Sequence, residues 1–165
     1  MPKTLGAIAM TENENLELLK EEYFHLHRAV QEFDSKALTI KAWSVTVSMA
    51  GIGVALRYDI PMLSLASACS AILFWVVEAI WKSFQRGFLE RIEQLEPLFL
   101  GDMIGAKPLQ IRTTWLAKVG DWEKLKPSIW EMMAKPEVWL PHGPVAVVGI
   151  ALGIGYYAYK FIHGC

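Results

Sequence analysis

Apolar positions along the chain gather into three long runs. Residues 42–56 carry no charge, and extended back to residue 37 the run reaches 20 residues with Lys41 as its sole charge. Residues 60–77 are also uncharged, and that run continues through Glu78 to residue 81. Residues 138–159 form 22 residues without a formal charge. A helix needs about 20 predominantly apolar residues to cross a hydrocarbon core, where only helices and closed barrels satisfy their own backbone. The pattern predicts an all-α integral membrane protein with three spans, at about residues 37–57, at about 60–81 and within 137–165, which ends in a short outer tail. For the first two runs the competing reading is a buried hairpin of a soluble protein.

The charged stretch before the first run also has helical spacing. No Gly or Pro occurs between Gly6 and Gly51, and Thr11 with Glu14 fits a capping box after a flexible stretch 1–11. One helix is therefore expected from about residue 12 to about residue 57, roughly twice the hydrocarbon thickness. Its polar half carries a heptad pattern, with Leu16, Tyr23, Val30 and Ala37 at one position and Leu19, Leu26, Phe33 and Ile40 at the other. This seam either joins two chains or packs within one.

A partner exists in the same chain. From Pro61 a second helix is expected to about Glu96, just before Pro97, with Trp81, Phe84, Phe88, Leu95 and Leu98 in one stripe and Arg91 among them. The short RYDIP connection makes the two helices antiparallel. Residues 12–98 thus form a hairpin with a membrane half and a cytoplasmic half that sets 12–36 against 83–98. Packing of the seam within the chain is preferred, with oligomerisation through the remaining surfaces.

Small residues at four-residue spacing permit close helix contact in lipid: Ser44 and Ser48, Ser64 and Ala68, and Gly149 and Gly153 as GxxxG. Residues 99–136 differ. Gly101, Gly105, Pro108, Gly120 and Pro127 divide them into short amphipathic pieces bearing Trp115, Trp122 and Trp130, with Ser128 and Glu131 placed to cap the last. They either lie in the cytoplasmic interface or form a soluble cap over the hairpin.

Composition agrees with a membrane chain: 53% hydrophobic, mean hydropathy +0.28 and seven Trp. A net charge of -1 gives no electrostatic footprint for nucleic acid. Lys3, Lys20, Arg28, Lys36 and Lys41 precede or begin the first span, and nine basic residues lie between Lys82 and Lys135. The hairpin turn has only Arg57, and the tail only Lys160. The positive-inside rule then puts the N-terminus and the middle segment in the cytoplasm, and the C-terminus outside. Trp43, Trp75, Trp81 and Trp139 would mark the inner interface, and Tyr58, Tyr156, Tyr157 and Tyr159 the outer one.

Candidate chemistry is sparse. No GxSxG, Walker A, GxGxxG, HExxH or CxxC pattern occurs, and no enzyme or cofactor is expected. Cys69, amid small apolar residues, reads as a packing residue. Glu21, Glu22 and His25 share a helix face, for which a solvated surface is the plainer reading than a metal site. What stands out is Glu78 in FWVVEAIWK. In an antiparallel hairpin it reaches the depth of Lys41, and it is also i,i+4 to Lys82. Either these charges form an ion pair at the inner boundary, or several copies set Glu78 around the mouth of a pore.

The layout EEYFHLHRAVQEFDSKALTIKAWSVTVSMAGIGVAL, then RYDIP, then MLSLASACSAILFWVVEAIWKSFQRGFLERIEQLEPL resembles small bacterial membrane effectors of the SLATT type over about residues 20–98. The third span departs from their two-span pattern. The resemblance implies an oligomer in the bacterial inner membrane that compromises it on a signal of infection. The expected partners are the bilayer, copies of the same chain and a cytoplasmic regulatory protein. The alternative is a membrane anchor or scaffold that recruits a partner through its cytoplasmic helices.

Overall fold

The structure is a computed structural model that describes residues 12–99 and 107–163. Among these residues every regular element is a helix: α1 (Glu12–Tyr58), α2 (Pro61–Phe99), α3 (Ile111–Val119), α4 (Trp122–Ala134), α5 (Pro136–Trp139) and α6 (His142–His163). α1, α2 and α6 are each long and apolar enough to cross a membrane. The protein is all-α, with three candidate spans. The capping expected of Thr11 lies outside the described residues.

α1 has 47 residues, about 70 Å of helix at 1.5 Å per residue. It stops at a two-residue turn. Asp59 takes a left-handed φ of 54°, which a short polar side chain tolerates, and Ile60 N–H donates to Ala55 O at 3.0 Å. Pro61 then opens α2, where its missing N–H would have had no helical partner. α2 does not stop before Pro97 as expected but runs on to Phe99. Leu95 and Leu98, on either side of that proline, are buried in the hairpin core and hold the last turn down.

The heptad seam faces α2 of the same chain. Leu19 and Leu26 join Ile92, Leu95 and Leu98 in one core, flanked by Tyr23, Val30 and Phe88. Phe33 stacks on Trp81 with ring centroids 4.6 Å apart. Leu16 lies at the open end, in a groove shared with Tyr23, Phe24 and Phe99. Leu26 and Leu95 lose all exposure, worth about 1.5–3 kcal/mol each. Phe84 leaves the expected stripe. It sits about 60° around the helix from Trp81 and about 40° from Phe88, and it packs against Trp115 instead.

In the membrane half α6 packs along α2 through the small residues. A Cβ on Gly149 would lie 3.0 Å from Ala68 Cβ and 3.0 Å from Ser64 O, and one on Gly153 2.5 Å from Leu65 Cδ2. Ser64 Oγ donates to Gly149 O at 3.0 Å. Ile52, Ala71, Val145 and Ala146 form the core of this half. Val47, Val54, Leu73, Val77, Val147 and Ile154 remain exposed around it, an apolar belt suited to lipid. Cys69 belongs to that outer surface: it is exposed, not packed inside as expected.

α3 to α5 cover another side of α2. Val119, Leu125, Ile129, Met132 and Val138 close on Ala79, with Trp75, Ile80, Phe84 and Trp115 around them. Trp115 lies against Gly87, where any Cβ would strike the indole. Trp122 and Trp130 point outward. α4 starts earlier than expected, with Asp121 as its N-cap, its side chain accepting from Glu123 N–H. Ser128 is inside that helix, and Glu131 turns to Arg86. The third span also starts later than residue 138. Pro141 excludes helical backbone at Leu140, which is extended at ψ 133°, so Val138 and Trp139 fall in α5 and α6 begins at His142.

Candidate functional site

The Pro141 break places His142 at the first position of α6, inside the bundle and without exposed surface. Two other helices meet it there. On α1, Lys41 and Ser44 are three residues apart and share a face. On α2, Glu78 points inward between Trp75 and Trp81 and is fully buried. Lys41 Nζ stands 3.1 Å from Glu78 Oε1, within ion-pair distance though without the alignment of a hydrogen bond. His142 Nε2 is 2.8 Å from Glu78 Oε2, and His142 Nδ1 is 2.7 Å from Ser44 Oγ. Lys41 also donates to the backbone oxygen of Glu137 at the start of α5.

With Glu78 ionised and the ring neutral, the carboxylate can only accept, so Nε2 would donate to Glu78 and Nδ1 would accept from the Ser44 hydroxyl. One turn further along α1, Ser48 is fully buried, and its hydroxyl has no hydrogen-bond partner among the described residues. Glu78 thus faces the interior of its own chain, toward Lys41 and His142.

Lys82, the other candidate partner of Glu78, goes elsewhere. It binds Asp34 at 2.5 Å, and Gln85 Nε2 donates to the same carboxylate at 3.0 Å. Burial pushes the Asp34 carboxyl up, but the hydrogen bonds from Lys82 and Gln85 hold it below its ordinary value. Trp75 and Trp81, expected at the interface, instead turn inward. Their indole N–H groups donate to Met133 O and Phe33 O, each at 3.1 Å. Trp43 and Trp139 are exposed as interfacial anchors would be.

A second ionic site lies at the end of the hairpin far from its turn. Glu22 does not join Glu21 and His25 on a solvated face. It is buried against Arg91, with Nε 2.8 Å from Oε1. Arg91 also donates to Lys107 O, and Leu109 N–H donates to Glu22 Oε2, each at 2.8 Å. The pair thus ties α1 and α2 to the segment that leads into α3. Two outer pairs hold the cap: Arg86 with Glu131, and Lys118 with Glu90 at 2.9 Å. The Arg86 guanidinium holds the Glu131 carboxyl below its ordinary range, and its own value is raised in return. Among the described residues no group of His, Cys, Asp and Glu is arranged to hold a metal ion.

Comparison with known proteins returns no matching family model, no matching curated protein and no matching solved structure. Ser44, His142 and Glu78 have the order of a nucleophile, base and acid. Ser44 is nevertheless fully buried in mid-helix, where the neighbouring backbone N–H groups are consumed by the helix, so no oxyanion site adjoins it. The arrangement suits holding charge and passing protons better than acyl transfer. Sequence reasoning found Glu78 and Lys41, took Ser44 as a packing residue and missed His142. Its signal was a lone histidine in an otherwise uncharged run, next to the proline that breaks the helix.

Proposed function

We propose that the protein is an oligomeric, membrane-perturbing effector of the bacterial inner membrane, with its N-terminus in the cytoplasm and its C-terminus outside. The observation that carries this reading is the meeting of Lys41, Glu78 and His142 from three candidate spans in the bundle interior. Ionisable side chains in a membrane are costly, and those kept there mark ion pathways and switches. The apolar belt leaves room for lipid and for neighbouring copies. The architecture resembles SLATT-type effectors, which points to a defence or stress role.

A second reading is favoured by one feature. Leu16, Tyr23, Phe24 and Phe99 line an apolar groove of about 500 Å³ at the cytoplasmic end of the hairpin. A membrane anchor or scaffold would use such a surface to recruit a cytoplasmic partner. The mass of the detergent-solubilised protein separates the two readings. A discrete ring-sized oligomer is expected of the effector, whereas a monomer or dimer that co-purifies with a stoichiometric partner would replace it with the anchor.

A further inference from the structure

Ser48 is the unexplained group. The other buried serines in these helices all have partners: Ser67 and Ser83 bond back one turn to Leu63 O and Ala79 O, both at 2.8 Å, Ser64 bonds to Gly149 O, and Ser44 to His142. Ser48 makes no such bond and has no exposed surface, so its hydroxyl is left without a partner in the bundle interior. A buried hydroxyl without a partner is destabilising. It lies one turn above Ser44, which is hydrogen-bonded to His142, which is hydrogen-bonded to Glu78. Glu78 in turn meets Lys41, whose side chain is 23% exposed. The polar groups thus run from the cytoplasmic side of the bundle toward its centre.

We propose that Glu78 and His142 form a proton-binding relay continued by Ser44 and Ser48, and that the proton is the ion this protein passes. This rests on the effector reading and deepens it by naming the permeant species. An imidazole with each nitrogen bonded to a different partner accepts a proton on one side and releases one on the other. A proton arriving through Ser44 binds His142 Nδ1. The ring gives its Nε2 proton to Glu78 Oε2, and the carboxylic acid releases it past Lys41 to the cytoplasmic side. One proton enters and one leaves. The imidazole ends in the opposite tautomer, which a ring flip resets.

The surrounding charges leave the relay free for this task. Asp34 and Lys82, nearer the cytoplasm on α1 and α2, neutralise each other. α5 offers only the Glu137 backbone oxygen to Lys41, its carboxylate being exposed. On α4, Glu131 is taken by Arg86. Outward of Ser48 the path meets the layer of Ile52, Ala71, Val145 and Ala146. The layer is the gate, and inward proton flow under a negative interior potential follows once it loosens.

The test uses the full chain in liposomes, with a potassium gradient and valinomycin setting the interior negative. A trapped pH dye reads proton uptake, and a trapped fluorescent anion in parallel vesicles reads general leakage. Wild type, Ile52→Ala and Ser48→Ala are compared, the last with its melting temperature. The relay predicts acidification without dye release, faster in Ile52→Ala. It predicts that Ser48→Ala, which removes the hydroxyl next along the path from Ser44, slows uptake on the order of tenfold, at a melting temperature no lower than that of the wild type. Uptake indifferent to Ser48→Ala overturns the relay. Dye release without selective acidification overturns it too but leaves the effector standing. Silence of both dyes in all three proteins overturns both.

Discussion

Lys41 Nζ and Glu78 Oε1 stand 3.1 Å apart on the two arms of the hairpin, the carboxylate fully buried and the ammonium partly exposed. The contact joins α1 to α2 at the end of their apolar runs far from the hairpin turn, and His142 brings α6 to the same carboxylate. A charge in that position is tolerated only while it is partnered.

Removal of one partner should therefore cost more than removal of both. Lys41→Met leaves Glu78 with His142 alone and is expected to lower stability by about 3 kcal/mol. Lys41→Met combined with Glu78→Gln should recover most of that loss. Thermal unfolding in a mild detergent measures both, and a double variant no better than the single one would show that the pair is not coupled.

The Lys41–Glu78 contact was legible in the sequence because charges are conspicuous in apolar runs and a short turn sets equal depths on the two arms. The competition for Glu78 was not. Lys82 has the correct helical spacing, but Asp34 and Gln85 across the hairpin claim it. Arg91 looked like an interruption of an apolar stripe, because its partner Glu22 lies on the other helix. His142 reached the site only because Pro141 restarts the third helix, and a smooth hydropathy run conceals such a break. The seam from Leu16 to Phe33 was readable as a face, but the sequence left its partner open between another copy and α2.

The Glu22–Arg91 pair offers a separate test. Arg91→Met leaves a buried carboxylate whose other bond, to Leu109 N–H, does not neutralise it. The expected loss is about 3–5 kcal/mol, and protease cleavage near Lys107 should accelerate. Glu21→Gln, at an exposed position on the same helix, should change neither.

Gly149 tests the contact between α6 and α2. A side chain there meets Ala68 and the Ser64 backbone, so Gly149→Leu should cost about 1–3 kcal/mol by overpacking. Gly155→Leu, where nothing lies within reach of a Cβ, is expected to be silent in the same melts.

The Arg86–Glu131 pair fixes a pH dependence outside the spans. The folded-state carboxyl of Glu131 is depressed, chiefly by its hydrogen bonds to Arg86. Its contribution is therefore full above the ordinary carboxylate range and is lost as pH falls through the depressed folded value. Because the carboxylate is exposed, the contribution is small. The melting-temperature deficit of Glu131→Gln should be present at neutral pH and vanish in acid. A deficit that persists unchanged at acid pH would remove the ion pair as its cause.

Membrane potential during induced expression in bacterial cells tests the effector account most directly. A potential-sensitive dye should report depolarisation soon after the protein reaches the membrane, and Glu78→Gln, expressed to the same level, should blunt it. A potential that stays at the uninduced value while the wild-type protein accumulates in the membrane, with its genomic neighbours also expressed, would contradict the account.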